Sequence, residues 1–236
     1  MPKKGPDACL STERGISLLH RTDLFTGKTP QFLDTGGTPK SLYAEIASAA
    51  NGKTFVTEYR WDKMSVQEIG AAICDRLRKN GIPVVLSGGA CVSIYSKNRY
   101  VSRDLDFVMP DYSLSSLDPL MMQLGFHRVP SGRYYENKDC PLSVEFPPSP
   151  LTVGREFVKK TKILRNKYGQ LRLLRPVDSV KDRLAAFYHW KDRQSLEQAV
   201  MICRAQRVNM KEIKRWSREE GASEEFKIFV RGLESE

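Results

Sequence analysis

The chain has 236 residues, enough for one large domain or two small ones, and its 40% hydrophobic and 28% charged content is ordinary for a soluble protein with a real core. A net charge of +10 and a pI of about 9.4 favour polyanionic partners, either nucleic acid or phosphorylated substrates. Five scattered cysteines (Cys9, Cys74, Cys91, Cys140 and Cys203) form no CxxC and argue against a disulfide framework or a zinc site; with no signal peptide and no membrane-spanning apolar run, the expectation is a cytoplasmic protein with no membrane partner.

Residues 1–64 read as an N-terminal arm. Residues 26–40 are rich in Gly, Pro and Thr and predict loop. Residues 41–52 predict a short helix stopped by Gly52, and 54–61 have strand composition. A helix followed by a β-segment in a basic arm suggests a winged helix; a small arm packed on the main domain accounts for the same residues.

From Ser65 the pattern sharpens, and 65–150 read as the core of the protein. Ser65 and Glu68 form a capping box, followed by Ile69, Ala72, Ile73 and Leu77 at helical spacing. Gly81 stands where a left-handed residue would end that helix. Residues 82–86 predict a buried central strand, 90–95 a short helix and 104–109 a second strand. Residues 117–124 predict a helix, and 133–136 and 142–146 further strands.

Residues 151–236 read as a mostly helical C-terminal region. A strand over 171–176 precedes three helices: VDSVKDRLAAFYHW with Asp178 as its cap, RQSLEQAVMICRAQ, and NMKEIKRWSREEG opened by an Asn209–Glu212 capping box. Before them, the run REFVKKTKILRNK (155–167) interleaves cations with apolar residues. It is the best candidate for a nucleic-acid surface, its plainer reading being a solvated amphipathic helix. The fold class is therefore α/β (α+β): a small mixed sheet flanked by helices, a helical C-terminal region and an N-terminal arm.

The stretch VVLSGGACVSIYSKNRYVSRDLDF carries the chemistry. A helix starting at a glycine pair presents unpaired N–H groups, and Gly88 and Gly89 let a phosphate approach them, with Ser87 adding a hydroxyl. Asp104 and Asp106 lie two apart on a strand and share a face. Like charges held together invite a cation, and Mg²⁺ (or Mn²⁺) binds through one or two carboxylates plus substrate phosphates. Glu145, between Val144 and Phe146, adds a third acid if its strand is adjacent. An Asp-x-Asp alone is commonly a solvated pair and a Gly-Gly a turn. The ordered set of helix, strand, Gly-Gly, helix, Asp-x-Asp strand and later acidic strand predicts a nucleotide site. Cys91, with no histidine in its motif, reads as a small buried residue.

This set resembles the DNA polymerase β-type nucleotidyltransferase superfamily, whose pattern is Gly-Gly or Gly-Ser, a spacer, then Asp-x-Asp. The likeness covers about residues 65–205 and is nearest to the AbiEii-like toxin branch. The 14 positions between Gly89 and Asp104 are slightly long for the superfamily. Arg99 and Ser102 approximate the Arg-x-Ser of that branch with one extra residue between, and so join the nucleotide-binding set. RPVDSVKDRLAAFYHWKDR resembles its later motif of Pro, a lysine-bearing helix and Arg-Asp. Here the lysine position falls on Arg183, with Lys181 the nearest lysine, and the Arg-Asp order is reversed as Asp192-Arg193. The resemblance implies NMP transfer from an NTP such as ATP to an acceptor hydroxyl. Asp104, Asp106 and Glu145 would be the metal-binding acids, with Arg183, Lys181 and Asp192 as further catalytic residues. It also implies RNA or tRNA as acceptor, a toxin-like role and an antitoxin partner. The rival readings are a non-catalytic nucleic-acid-binding or regulatory module on the same fold, and a transferase acting on a small molecule or a protein.

Overall fold

The computed structural model describes residues 59–109, 117–130 and 134–235. All belong to one compact unit, Lys53–Glu236. The loop expected over 26–40 and the helix over 41–52 lie outside the described residues, as do the first residues of the strand expected over 54–61. Its described end is not strand: Trp61–Lys63 is a single 3-10 turn. Tertiary packing overrides the local β composition there, because Trp61 is buried edge-on against Phe126 with ring centroids 5.3 Å apart.

The first helix, α1 (Val66–Lys79), begins as its sequence dictates. Ser65 accepts from the Glu68 N–H while the Glu68 carboxylate takes the Ser65 N–H, a reciprocal cap contributing about 1 kcal/mol. Gly81 follows with φ +80°, the left-handed stop. Ile69, Ile73 and Leu77 are fully buried, the apolar face laid on the sheet.

Among the described residues the strands are β1 (Val85–Ser87), β2 (Asp104–Val108), β3 (His127–Arg128), β4 (Tyr134–Glu136), β5 (Ser143–Glu145), β6 (Thr152–Val153), β7 (Glu156–Phe157), β8 (Thr161–Asn166) and β9 (Gly169–Leu174). Seven of them form one mixed sheet in the order β3-β4-β5-β2-β1-β9-β8, and β6 pairs with β7 separately. The central β1 is buried along its whole length and pairs antiparallel with β2 and parallel with β9. Helix α2 (Gly88–Tyr95) leaves β1 without a connecting loop, and the short α3 (Asp118–Gln123) leads into β3. The C-terminal part is α4 (Pro176–Trp190), α5 (Arg193–Ala205), α6 (Met210–Glu219) and α7 (Ser223–Glu234). The expected α/β class, with its mixed sheet, flanking helices and helical C-terminal region, is the one observed. No helix among the described residues is long and apolar enough to cross a membrane.

Three local expectations are corrected. Helix α4 starts earlier than an Asp178 cap implied; Arg175 is the N-cap, Pro176 takes the first helical position, and Asp178 turns back to a bidentate pair with Arg175. Asn209 does cap α6, accepting from the Lys211 and Glu212 N–H groups, but the Glu212 carboxylate accepts from Lys181. The basic run 155–167 is not helical. It forms β7 and the edge strand β8, whose exposed Arg165 and flanking Lys159, Lys160 and Lys167 repel a second sheet edge.

Candidate active site

The register of the sheet assembles the site. Ser87 pairs with Asp106 across β1 and β2, and Asp106 pairs with Glu145 across β2 and β5. In-register neighbours on adjacent strands point to the same side. Asp104, two residues before Asp106, joins them on that face, while Leu105 and Phe107 on the other face are fully buried. Glu145 is 8% exposed, the most enclosed of the three acids.

The glycine pair lies directly against these acids. Gly88 opens α2 at φ +65°, and a Cβ there would stand 2.0 Å from Asp106 Oδ2. Gly88 is therefore glycine because the chain's own carboxylate occupies the space a side chain would fill. At Gly89 a Cβ would come within 2.7 Å of Ser102 Oγ and 3.3 Å of the Tyr100 ring. Ser102 is buried; its hydroxyl donates to Asp104 Oδ1 at 2.7 Å and its N–H to Ser93 Oγ at 2.8 Å. Ser102 thus orients Asp104 and fastens the loop after α2 over Gly89. Arg99 is exposed on the same loop. The Ser87 hydroxyl donates to the Asp106 carbonyl at 3.2 Å, so its proton is committed to the sheet.

Asp106 is pushed up to about 7, first by burial, then by the negative charges of Asp104 and Glu145, with Asp182 adding to them and Arg183 opposing. Burial acts to lower the Arg183 guanidinium, but Asp182 and Asp106 outweigh it and hold it above its ordinary value. Arg183 binds Asp182 through two nitrogens, at 2.6 and 3.0 Å. Helix α4 therefore delivers an ion pair, Asp182–Arg183, to the electrostatic field of the three acids. The sequence pointed to Arg183 and passed over Asp182; its adjacency to Arg183 was the only available signal.

Of two further expected members, Lys181 is turned away from the acids, and Asp192 is engaged as a helix cap within the field of Arg183. Lys181 lies about 200° around α4 from Arg183, on the opposite side of the helix. It is fully buried, with its ammonium 2.9 Å from Glu212 Oε1 and 3.1 Å from Glu156 Oε2. Asp192 is the N-cap of α5, accepting from the Gln194 N–H and, at 2.6 Å, from the Ser195 hydroxyl. These bonds hold its carboxyl below the usual range, led by the one from Ser195. Cys91 is fully buried, and that burial pushes its thiol up to about 12, so it carries no thiolate chemistry.

Among the described residues, no three or more His, Cys, Asp or Glu side chains are gathered so as to hold a metal by themselves. The donor set fits instead a cation that binds through a carboxylate pair and completes its shell with phosphate oxygens and water. Ionising Asp106 beside two other acids is costly without such a cation.

The glycines give a direct test. Gly88→Ala should cost about 1–2 kcal/mol for the left-handed backbone and displace Asp106 from its place beside Asp104 and Glu145. Gly81→Ala imposes the same backbone penalty, about 1–2 kcal/mol, with nothing within 4 Å of the new Cβ, so it should leave the acids undisturbed. Thermal melting and Mg²⁺ binding of the two variants check this. Equal Mg²⁺ binding in both would detach Gly88 from the site.

No family model matches the sequence, and no curated protein matches it. Among solved structures the chain is similar to the antibiotic-resistance factor ANT(2'')-Ia. The solution structure of that protein aligns with a TM-score of 0.42 and 14% identity over 72% of this chain and 94% of that one. Its crystal structure in complex with adenylyl-2''-tobramycin aligns with a TM-score of 0.45 and 12% identity over 66% of this chain and 97% of that one. An antigenic nucleotidyltransferase-like protein from Paracoccidioides brasiliensis aligns with a TM-score of 0.46 and 12% identity over 71% of this chain and 86% of that one. At identities this low, the chemistry rests on this chain's own side chains.

Proposed function

We propose that the protein is a metal-dependent nucleotidyltransferase that moves a nucleoside monophosphate from an NTP to an acceptor hydroxyl and releases pyrophosphate. The observation that carries this reading is the register that puts Asp104, Asp106 and Glu145 on one sheet face, against the glycine start of α2. Asp104 and Asp106 hold Mg²⁺ or Mn²⁺, with Glu145 as third ligand or as base for the acceptor hydroxyl. The ion, when bound, offsets phosphate charge and steadies the leaving pyrophosphate. The α2 N–H groups at Gly88 and Gly89 receive phosphate oxygens, as helix starts do. Ser102 keeps Asp104 in its rotamer, and Arg99 is a cation for the triphosphate. Arg183, near Asp106, balances charge as it moves to the leaving group.

The acceptor proposed is RNA, tRNA among the candidates, because the chain carries a net charge of +10. A toxin-like role with an antitoxin partner belongs to the same reading. The decisive experiment incubates the protein with each α-labelled NTP, Mg²⁺ and total cellular RNA and protein. Label in an RNA band is expected. Label in a protein band or a small molecule would move the acceptor class, and no label from any NTP would leave the fold without catalysis.

A further inference from the structure

A groove of about 670 Å³ runs between α6 and α7, away from the three acids. One wall carries Lys211, Lys214, Arg215 and Arg218, which recur every three or four residues and so form one stripe along α6. The other carries Lys227 and Arg231, one turn apart on α7. All six are exposed, and no acid lines the groove. Arg215 is paired with Glu219 and Lys227 with Glu224. Among the described residues, Lys211, Lys214, Arg218 and Arg231 make no ion pair, so four positive charges face the groove uncompensated. The floor is apolar, formed by the half-buried Phe226 and Val230.

We infer that this groove binds a strand of RNA through its phosphate backbone. Exposed cations on two facing walls focus a positive potential into the groove, which draws in a polyanion and weakens as salt rises. A cationic small molecule is repelled from such a site. The α6 stripe spans about 10 Å from Lys211 to Arg218 at 1.5 Å per residue, long enough to follow successive phosphates. An aromatic in the floor of a cationic groove gives an unpaired base a surface to stack on, which an acidic peptide does not need. The inference rests on the proposed function only for the claim that this RNA is the acceptor; strand binding itself does not depend on transfer.

The test uses the whole chain, a fluorescently labelled single-stranded RNA oligonucleotide, and no NTP. Binding is measured by anisotropy across a salt series. Replacing Lys211, Lys214, Arg218 and Arg231 together by Gln removes four exposed cations, and an unchanged melting temperature verifies the fold. Affinity should fall at least roughly ten-fold near 0.1 M salt. The log–log salt slope should flatten by about 3, since each lost single-strand phosphate contact removes about 0.7. A matched variant with Lys159, Lys160, Lys162 and Arg165 replaced by Gln, on and beside β8, should keep wild-type affinity. The inference is overturned by an unchanged slope in the groove variant, by loss confined to the β8 variant, or by poly-glutamate displacing the RNA as well as unlabelled RNA of equal charge. RNA binding by a wild type that transfers label from no NTP to any acceptor would sink the transferase reading and leave this one standing.

Discussion

Asp104→Asn and Asp106→Asn should each lower NMP transfer by roughly 1,000-fold or more while leaving the protein folded. Both acids stand on the half-exposed face of β2, whose other face supplies Leu105 and Phe107 to the core, so neither change touches apolar packing. Wild-type rates from either variant would remove that residue from the chemistry. The Asp106 variant has a second, independent signature. Because the folded protein holds the Asp106 proton up to about 7, against 3.8 for an ordinary carboxyl, the folded state binds more protons than the unfolded one between those values. Stability from this group is therefore fully present below about pH 4 and is lost as pH rises through 7. Asn resembles the protonated acid and does not ionise. Asp106→Asn should match wild type in melting temperature below about pH 4, pull ahead progressively as pH rises, and exceed it at pH 8 by about 2–4 kcal/mol, or several degrees. Added Mg²⁺ should narrow the gap by stabilising ionised wild type. The same difference at both ends of that range would mean that Asp106 is not held protonated.

Elements with a local cause were legible in the sequence. The Ser65–Glu68 box, the Gly81 stop and the two-residue period of Asp104 and Asp106 each express physics contained within a few residues. The central strand was foreseen as buried on both faces, although it forms three residues later than its apolar run begins, because β1 is set by pairing with β2 and β9. Strand β8 escaped notice for a different reason. Its cations, Lys162 and Arg165, fall at both parities, and its apolar pair Ile163 and Leu164 is adjacent rather than alternating, so no two-residue period marks it, although Leu164 packs against the core. The adjacency of Glu145 to Asp106 required a parallel pairing between strands separated by α3, β3 and β4, which sequence could pose only as a condition. The contact between Gly88 and Asp106 was hidden for the same reason. A glycine read as making room for a phosphate also makes room for a carboxylate 18 residues further on.

Lys181 was expected beside Arg183 among the catalytic residues, and its replacement tests whether it belongs there. Lys181→Ala should destabilise the protein by about 3 kcal/mol, the low end for breaking a buried ion pair. Its ammonium, with no exposed surface, neutralises Glu212 at 2.9 Å and Glu156 at 3.1 Å and stands 4.0 Å from Asp178. Removing it opens a cavity and leaves these carboxylates short of a cation, a cost moderated because Glu156 and Glu212 are 37% and 25% exposed and reach water. The three acids belong to β7, α6 and α4, so the lysine is a tie between the separate β6–β7 ribbon and the C-terminal helices. For a unit of this size about 3 kcal/mol lowers the melting temperature by about 6–12 °C. Well below that temperature, turnover per folded molecule should stay within about two-fold of wild type, since α4 turns Lys181 away from Asp106. Arg183→Met should show the reverse. It removes the cation that opposes the charge on Asp106 and frees Asp182 beside the acids, so transfer should fall roughly 100-fold with a smaller loss of stability. Melting curves and single-turnover rates for the two variants decide between the assignments. A stable Lys181→Ala protein with turnover reduced roughly 100-fold would return that lysine to the reaction and make Arg183 the structural partner.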